Sequence, residues 1–346
     1  MNFKKIILYV SLALLAVMAY FGYKIYSIVF TPNTTFNQNE VAVYIPTKAT
    51  YAEVKEIVAP FIKDMDKFTA LAEQKKYDAN VKAGKFIFKR DMNTNAIISA
   101  LRSNVPVKLT FNNQERIEDL AGRIGNQIEA DSTSLMKAFT DETFLQENGF
   151  TPETILSMFI PNSFEFYWNT SAEKFRDKLA KEYFKFWNEE RKDKAQKQGL
   201  TPVEVSVLAS IVQKETAKVD ERPKVAGVYL NRLKKGMALQ ADPTVIYSVK
   251  KVNNDFGIVI KRVLNKDLVV NSPYNTYQNK GLPPGPIFMP DVSAIEAVLN
   301  PEKHNYIYFC ASVTNFGYHE FATTVAEHQI NAQKYYQWLN QQGLKR

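Results

Sequence analysis

The longest apolar stretch of the chain lies near its N-terminus. Residues 6–23 contain no charged side chain and directly follow Lys4 and Lys5. A helix needs about 20 apolar residues to cross a bilayer, so this stretch is long enough with some help from its flanks. Several aromatic side chains cluster at its far end, as is typical of a membrane interface: Tyr20, Phe21, Tyr23 and Tyr26.

This pattern predicts a membrane-spanning helix. The basic N-terminus should stay in the cytoplasm, which places residues 31–346 outside it. A cleaved signal peptide is the alternative. No small-x-small cleavage site follows the apolar core, and no lipobox cysteine is present there, so the sequence favours an uncleaved anchor.

Residues 31–106 alternate between short strand and helix patterns. Thr50 and Glu53 have the spacing of a capping box, which predicts a helix over 50–59. The other predicted elements are strands over 41–45 and 84–88 and helices over 61–77 and 93–102. Together they predict a small α/β module.

The middle of the chain is mainly helical by its periodicity. A strand is predicted over 107–111 and an aromatic turn over 159–166. Helices are predicted over 115–128, 132–140 and 171–198. The last of these would be one long helix that ends before Gly199.

A clear helix start follows at Thr201. Thr201 suits the N-cap, Pro202 suits the first helical position, and Glu204 lies three residues after the cap to complete a capping box. A second helix is predicted over 223–235. The candidate chemistry lies at the end of the first helix.

The apolar stripe of this first helix ends in a carboxylate. At 100° per residue, Leu208, Ile211 and Val212 share one face, and Glu215 falls on the same face. A carboxyl group among apolar neighbours has a raised pKa, because burial disfavours its charged form. Such a glutamic acid can donate a proton to a leaving group. The alternative is a partly exposed glutamate paired with a neighbour such as Lys218.

The C-terminal part of the chain adds a third helix, a loop and a short hairpin pattern. Asp242 before Pro243 suits an N-cap of the third helix. Prolines and turn formers predict an irregular loop over 271–287. Strands are predicted over 306–311 and 317–321, and a closing helix over 324–339 with Gly343 just beyond it.

Composition and charge limit the possible function classes. Of 346 residues, 45% are hydrophobic, which describes a folded protein, and the net charge of +8 favours an acidic partner. The single cysteine, Cys310, excludes an internal disulfide and is expected to be a buried thiol. The three histidines lack metal-ligand spacing, and no phosphate-binding glycine loop is present. We therefore expect no metal or nucleotide cofactor.

Several separate motifs, in one order and with matching spacing, resemble the endolytic murein transglycosylase family. They are ASIVQKET at 209–216, NRL at 231–233, GMALQADPTVIY at 236–247, SPYNTY at 272–277, GLPPGPI at 281–287, GYHEF at 317–321 and AEH at 326–328. The resemblance implies an α+β fold with three parts. These are an anchor with the start of a linker over 1–30, a LysM-like module over 31–106, and a catalytic domain over 107–346 with its motif core at 201–330.

The resemblance also implies an activity and a location. Family members are single-pass inner-membrane enzymes that cut within peptidoglycan strands between N-acetylmuramic acid and N-acetylglucosamine. They leave 1,6-anhydromuramyl ends and thereby terminate growing strands. The implied partners are glycan strands, membrane lipid through the N-terminal helix, and the peptidoglycan synthases (penicillin-binding proteins). Nucleic acid is not expected, because the anchor places the working domain outside the cytoplasm.

The matching positions also imply the site residues. The glutamate of the KET triplet, Glu215, is the expected general acid and base. Seven polar residues in the motifs are expected to bind sugar: Asn231, Gln240, Asp242, Tyr274, Asn275, Tyr277 and His319.

Each of these residues has a structural alternative. The amides of Asn231 and Gln240 could instead satisfy loop backbone, the tyrosines could be packing residues, and Asp242 could be only a helix cap. His319 could form a hydrogen bond in the core. Arg232 is expected to pair with a carboxylate rather than to contact sugar.

Two other functions remain open from the sequence. A muramidase that hydrolyses the same bond would need a second carboxylate near Glu215, for which Asp242 is the candidate. A non-catalytic, membrane-anchored scaffold that binds the cell wall is the second alternative.

Overall fold

The structure is a computed structural model that describes residues 3–341. The chain divides into two compact units. The first comprises Met1–Leu109, Asn126–Ala130 and Phe164–Ser171. The second comprises Thr110–Gly125, Asp131–Ser163 and Ala172–Arg346. The glycine expected to follow the last helix, Gly343, lies outside the described residues.

The first unit begins with a long apolar helix, α1 (Phe3–Phe30). Its segment Lys5–Phe30 is long and apolar enough to cross a membrane. The helix therefore extends beyond the predicted stretch of 6–23.

The remainder of the first unit is a small α/β module. Its elements are β1 (Glu40–Ile45), α2 (Tyr51–Val58), α3 (Met65–Gln74), β2 (Gly84–Lys89) and α4 (Thr94–Ala100). Strands β1 and β2 pair antiparallel, with Val43 opposite Phe86 and Val41 opposite Phe88. The strand period of two turns Val43, Ile45, Phe86 and Phe88 toward a core shared with the helices.

The helix starts of this module agree in part with the predictions. The capping box between Thr50 and Glu53 is present at the start of α2. Helix α3 is shorter than the predicted 61–77, because Asp64 caps it by accepting a hydrogen bond from the backbone N–H of Lys67 at 3.0 Å.

A two-stranded sheet forms from β3 (Pro106–Phe111) and β4 (Asn162–Tyr167). The prediction of an aromatic turn over 159–166 was therefore wrong for most of its length. The alternating residues of NSFEFY favour an extended chain that pairs with a distant strand, which a local turn pattern does not reveal.

The second unit is mainly helical. Its elements are α5 (Ile117–Gly125), α6 (Ser132–Phe139), α7 (Glu142–Asn148), α8 (Ala172–Phe186), α9 (Glu189–Lys197), α10 (Pro202–Glu215), α11 (Arg222–Lys234), α12 (Asp242–Val252), α13 (Val292–Leu299), β5 (Tyr308–Ala311), β6 (His319–Ala322) and α14 (Val325–Gln341). The loop predicted over 271–287 contains neither helix nor strand.

The long helix predicted over 171–198 is two helices, which corrects that prediction. Helix α8 ends at Phe186 and α9 begins at Glu189. The side chain of Asn188 caps α9 by accepting from the backbone N–H of Arg191 at 3.0 Å. The charged residues that follow, EERKDKAQK, are good helix formers, so their composition does not reveal the break at the Asn188 cap.

Helix α10 lies at the centre of the second unit. It begins with the predicted capping box of Thr201 and Glu204, and every residue from Val205 to Val212 is buried. It packs against α9, α11, α12 and α13. The hydroxyl of Ser210 accepts from the backbone N–H of Ile287 at 3.1 Å, which ties the irregular loop to this helix.

Helix α11 passes very close to the segment that follows α13. A Cβ atom added at Gly227 would lie 2.7 Å from the carbonyl oxygen of Glu302 and 2.6 Å from Nε2 of His304. Only glycine permits this approach. The segment leads into the antiparallel hairpin of β5 and β6, in which Ala311 lies opposite His319.

Candidate active site

Glu215 is the last residue of α10. Thr216 leaves the helix in an extended conformation, and the side chain of Glu215 is half-buried at the end of this buried helix. The hydroxyl of Tyr229, on the next helix, donates a 2.6 Å hydrogen bond to Oε1 of Glu215. Among residues 3–341, Oε2 has no hydrogen-bond partner and stays available to a substrate.

Burial raises the pKa of Glu215 to about 7. The hydrogen bond from Tyr229 opposes this by stabilising the carboxylate, whereas the charge of Asp242 raises the pKa further. The cation of Arg232 lowers it. The balance leaves a glutamic acid that can both give and take a proton near neutral pH.

A cleft of about 230 Å³ opens in front of this carboxyl group. Its lining comes from α10, α11, the start of α12, the loop before α13 and the β5–β6 hairpin: Glu215, Tyr229, Arg232, Gln240, Asp242, Tyr277, Phe309, Cys310, Ala311 and His319.

A second carboxylate, that of Asp242, lines the same cleft. Asp242 is the first residue of α12 and does not cap it, because the N-cap position belongs to Ala241. The expectation of an Asp242 cap was therefore wrong. Its Oδ1 instead accepts a 2.7 Å hydrogen bond from the hydroxyl of Tyr277. The side chain is exposed at the mouth of the cleft.

His319 is fixed in the cleft by a buried carboxylate. Glu221 accepts from the backbone N–H of His319 at 2.7 Å and lies 2.9 Å from its Nδ1. The ring also meets Phe309 edge-on, at 5.0 Å between ring centres. Because Nδ1 is held by Glu221, Nε2 is the ring nitrogen left for a ligand.

The YceG-like family matches residues 43–334, a range that includes every residue of this cleft. The chain belongs to this family. A protein of Bacillus subtilis named endolytic murein transglycosylase is 32% identical over 270 residues, which are 73% of this chain and 72% of the relative. A protein of the same name from Streptococcus pneumoniae is 27% identical over 93% of this chain and 63% of its own length.

A solved structure of another YceG-like protein is also similar to this chain. The crystal structure of a YceG-like protein from Listeria monocytogenes has a TM-score of 0.55 and 28% sequence identity. It covers 85% of this chain and 99% of its own.

Three polar residues predicted to bind sugar lie outside the cleft of this YceG-like chain. The amide of Asn231 donates to the carbonyls of His304 and Tyr306, at 2.8 and 3.0 Å. The amide of Asn275 donates to two loop carbonyls, and Tyr274 is buried against the ring of Tyr247. The other predicted residues line the cleft: Glu215, Gln240, Asp242, Tyr277 and His319.

Two expectations about the neighbouring residues of the YceG-like cleft were wrong. Arg232 forms no ion pair with a carboxylate among residues 3–341, and its guanidinium donates instead to the carbonyls of Ile307 and Leu239, both at 2.6 Å. Cys310 is half-buried in the cleft wall rather than buried in the core. Partial burial and the charge of Glu320 raise the pKa of its thiol.

The sequence did not identify Tyr229 and Glu221 as site residues. Tyr229 lies on the apolar face of α11, where a buried hydroxyl requires a polar partner, and this requirement was the available signal. Glu221 precedes α11 in a charged turn and is only 5% exposed. Its burial depends on the distant strand β6, so no local pattern indicates it.

Proposed function

We propose that this chain is an endolytic murein transglycosylase in which Glu215 is the general acid and base. The observation that carries the proposal is one half-buried glutamic acid, with a pKa of about 7, at the floor of a polar cleft. The names of the relatives in Bacillus subtilis and Streptococcus pneumoniae support the reaction class.

In the first step, protonated Glu215 donates its proton to the glycosidic oxygen between N-acetylmuramic acid and N-acetylglucosamine. The bond from C1 of the muramic acid to this oxygen breaks, and the N-acetylglucosamine side leaves with a hydroxyl group. Tyr229 donates to Oε1 and stabilises the carboxylate that remains.

In the second step, the same carboxylate accepts the proton of the muramic acid C6 hydroxyl. The C6 oxygen bonds to C1 and closes the 1,6-anhydro ring, while Glu215 returns to its protonated form. No water is consumed. The nucleophile belongs to the substrate and is already close, so a single carboxyl group is sufficient.

The remaining polar groups of the cleft would bind the sugars. Gln240, Tyr277 and His319 offer an amide, a hydroxyl and a ring nitrogen to hydroxyl and acetamide groups. Asp242 accepts from Tyr277 and thereby orients its hydroxyl.

A muramidase is the second candidate, because a second carboxylate lines the cleft. In that reaction Asp242 would activate a water molecule or form a covalent adduct with C1. The two reactions leave different ends on the glycan, so product analysis separates them.

We further propose that α1 anchors the protein in the cytoplasmic membrane, with the N-terminus inside and both units outside. Residues 31–106 would act as a LysM-like module and residues 107–346 as the catalytic domain. The glycan strands would come from peptidoglycan synthases working at the same membrane.

The test is product analysis with the full chain in detergent. Uncrosslinked glycan strands are incubated with the wild type and with Glu215→Gln, and the new ends are read by mass spectrometry. Ends lighter by one water, absent with the variant, are expected. Ordinary reducing ends would establish hydrolysis instead, and equal cleavage by the variant would remove Glu215 from the mechanism.

A further inference from the structure

A second cleft, of about 410 Å³, lies in the second unit on different side chains from those around Glu215. Its floor is aromatic. The ring centre of Tyr247 lies 4.8 Å from that of Tyr274 and 5.6 Å from that of Phe256. Tyr247 and Tyr274 are only 7% and 2% exposed.

The hydroxyl groups of these two tyrosines open into the cleft. Among residues 3–341, neither side-chain oxygen has a hydrogen-bond partner, and neither is sealed from solvent. Both hydroxyls can therefore form hydrogen bonds with an occupant of the cleft.

Two charged side chains at the rim of the cleft, Lys251 and Glu153, form no ion pair with any of residues 3–341. The ammonium of Lys251 lies 4.8 Å from the ring centre of Tyr274, and no carboxylate of the described residues lies within 4.0 Å of it. Within the described part of the chain, the carboxylate of Glu153 accepts only from the hydroxyl of Thr151, at 2.9 Å. Its charge adds to burial in raising the pKa of Tyr274 to about 12.

The other charged residues of the rim already have ionic partners. Glu115 forms an ion pair with Lys250 at 2.9 Å. The guanidinium of Arg116 lies 2.7 Å from Asp119 and 4.0 Å from Glu118, so this one cation faces two carboxylates. Lys251 and Glu153 are both exposed, and a ligand with a carboxylate and an ammonium would gain an ion pair with each, which an uncharged sugar would not.

We propose that this cleft binds the peptide stem of the murein substrate. The proposal rests on the proposed function and specifies its substrate as peptide-bearing strands. A carboxylate of the stem pairs with Lys251, and the ammonium of its diamino acid pairs with Glu153. The peptide backbone provides partners for the hydroxyls of Tyr247 and Tyr274.

Helix α12 contributes residues to both clefts and therefore determines the distance between them. Helix α12 begins with Asp242 in the Glu215 cleft and carries Tyr247 and Lys251 in the second one. Nine residues of helix between Asp242 and Lys251 correspond to roughly 14 Å. An extended peptide of four residues spans about 13–14 Å. A stem attached to muramic acid near Glu215 can therefore reach the second cleft.

The experiment is a calorimetric titration of the full chain, in detergent, with a synthetic stem peptide. The peptide carries free carboxylates and one diamino-acid ammonium. Variants Lys251→Met and Glu153→Gln are each expected to weaken binding about tenfold. The exposed controls Lys266→Met and Glu147→Gln are expected to bind like the wild type. Acetylation of the peptide ammonium should abolish the effect of Glu153→Gln and leave that of Lys251→Met.

A second measurement compares cleavage of peptide-bearing strands with that of strands stripped of peptide by an amidase. The two cleft variants should raise KM about tenfold for peptide-bearing strands, without a change in kcat, and leave stripped strands unaffected. Absence of peptide binding, or equal binding by all variants, would overturn the proposal. Weakened binding of stripped strands would show a sugar site instead. Intact peptide binding without any cleavage would support this site while contradicting the transglycosylase reaction.

Discussion

The hydroxyl of Tyr229 and the carboxyl of Glu215 form a 2.6 Å hydrogen bond between two consecutive helices, α11 and α10. Burial raises the pKa of both groups, and each is the other's hydrogen-bond partner. The bond holds one oxygen of Glu215 and leaves the other to the cleft. The tyrosine thus holds the proposed acid in position and lowers its pKa against the larger effect of burial.

Removal of this hydroxyl should shift the pH dependence of cleavage upward. The bond from Tyr229 lowers the pKa of Glu215, so Tyr229→Phe raises that pKa above about 7. A hydrogen bond to a charged group contributes about 1.5–3 kcal/mol, which corresponds to a shift of roughly one to two pH units. The alkaline limb of kcat/KM, where the acid loses its proton, should move by that amount. Tyr167→Phe, at an exposed tyrosine, is the control and should leave the profile unchanged.

Removal of the charge at Asp242 should shift the same limb in the opposite direction. The carboxylate of Asp242 raises the pKa of Glu215, so Asp242→Asn lowers it, by roughly half a pH unit since the site is partly solvated. The products should still carry anhydro ends, because the proposed reaction needs no second carboxylate. Complete loss of cleavage would favour the muramidase reaction.

The raised pKa of Glu215 should make the protein less stable in alkali. The ordinary glutamate pKa is 4.5, and the folded-state value is about 7. The folded state therefore holds its proton more tightly, and this stabilisation is full below pH 4.5 and is lost as the pH rises through about 7. The loss corresponds to roughly 3 kcal/mol.

Glu215→Gln cannot ionise and should avoid this loss. At pH 8 the variant should unfold at a higher temperature than the wild type, whereas at pH 4 the two should differ little. Thermal unfolding in detergent at both pH values measures the difference. Glu147→Gln, at an exposed position, should follow the wild type at both. A variant that is less stable at pH 8 would contradict the buried-acid interpretation.

Gly227 and Gly122 both lie in helices, and only Gly227 is in close contact with another segment. Alanine substitutions at the two positions therefore test how much this close contact matters for stability. Gly227→Ala places a Cβ atom 2.7 Å from the carbonyl oxygen of Glu302 and should destabilise the protein by about 1–3 kcal/mol. Gly122→Ala, in α5, meets nothing within 4 Å and should stabilise by about 0.5–1 kcal/mol. Thermal unfolding of the two variants should therefore shift in opposite directions, and parallel shifts would show that helix propensity alone decides.

Elements with local signals could be predicted from the amino-acid sequence alone. The capping boxes at Thr50 and Thr201 start helices where expected, because cap and partner lie three residues apart. The apolar period placed Glu215 at the end of a buried stripe. The same reasoning failed within 171–198, where the charged segment after Phe186 also favours a helix and gives no signal of the break at Asn188.

The set of polar side chains that meet in the cleft depends on the three-dimensional fold. Asn231 and Tyr277 are both polar motif residues. The amide of Asn231 donates to the carbonyls of His304 and Tyr306, whereas the hydroxyl of Tyr277 donates to Asp242 in the cleft. Glu221 gains its role from His319, 98 residues away. The local sequence determines which helix or strand carries a side chain and on which face of that element it lies. Whether its polar atoms face backbone or cleft depends on long-range contacts that no local pattern encodes.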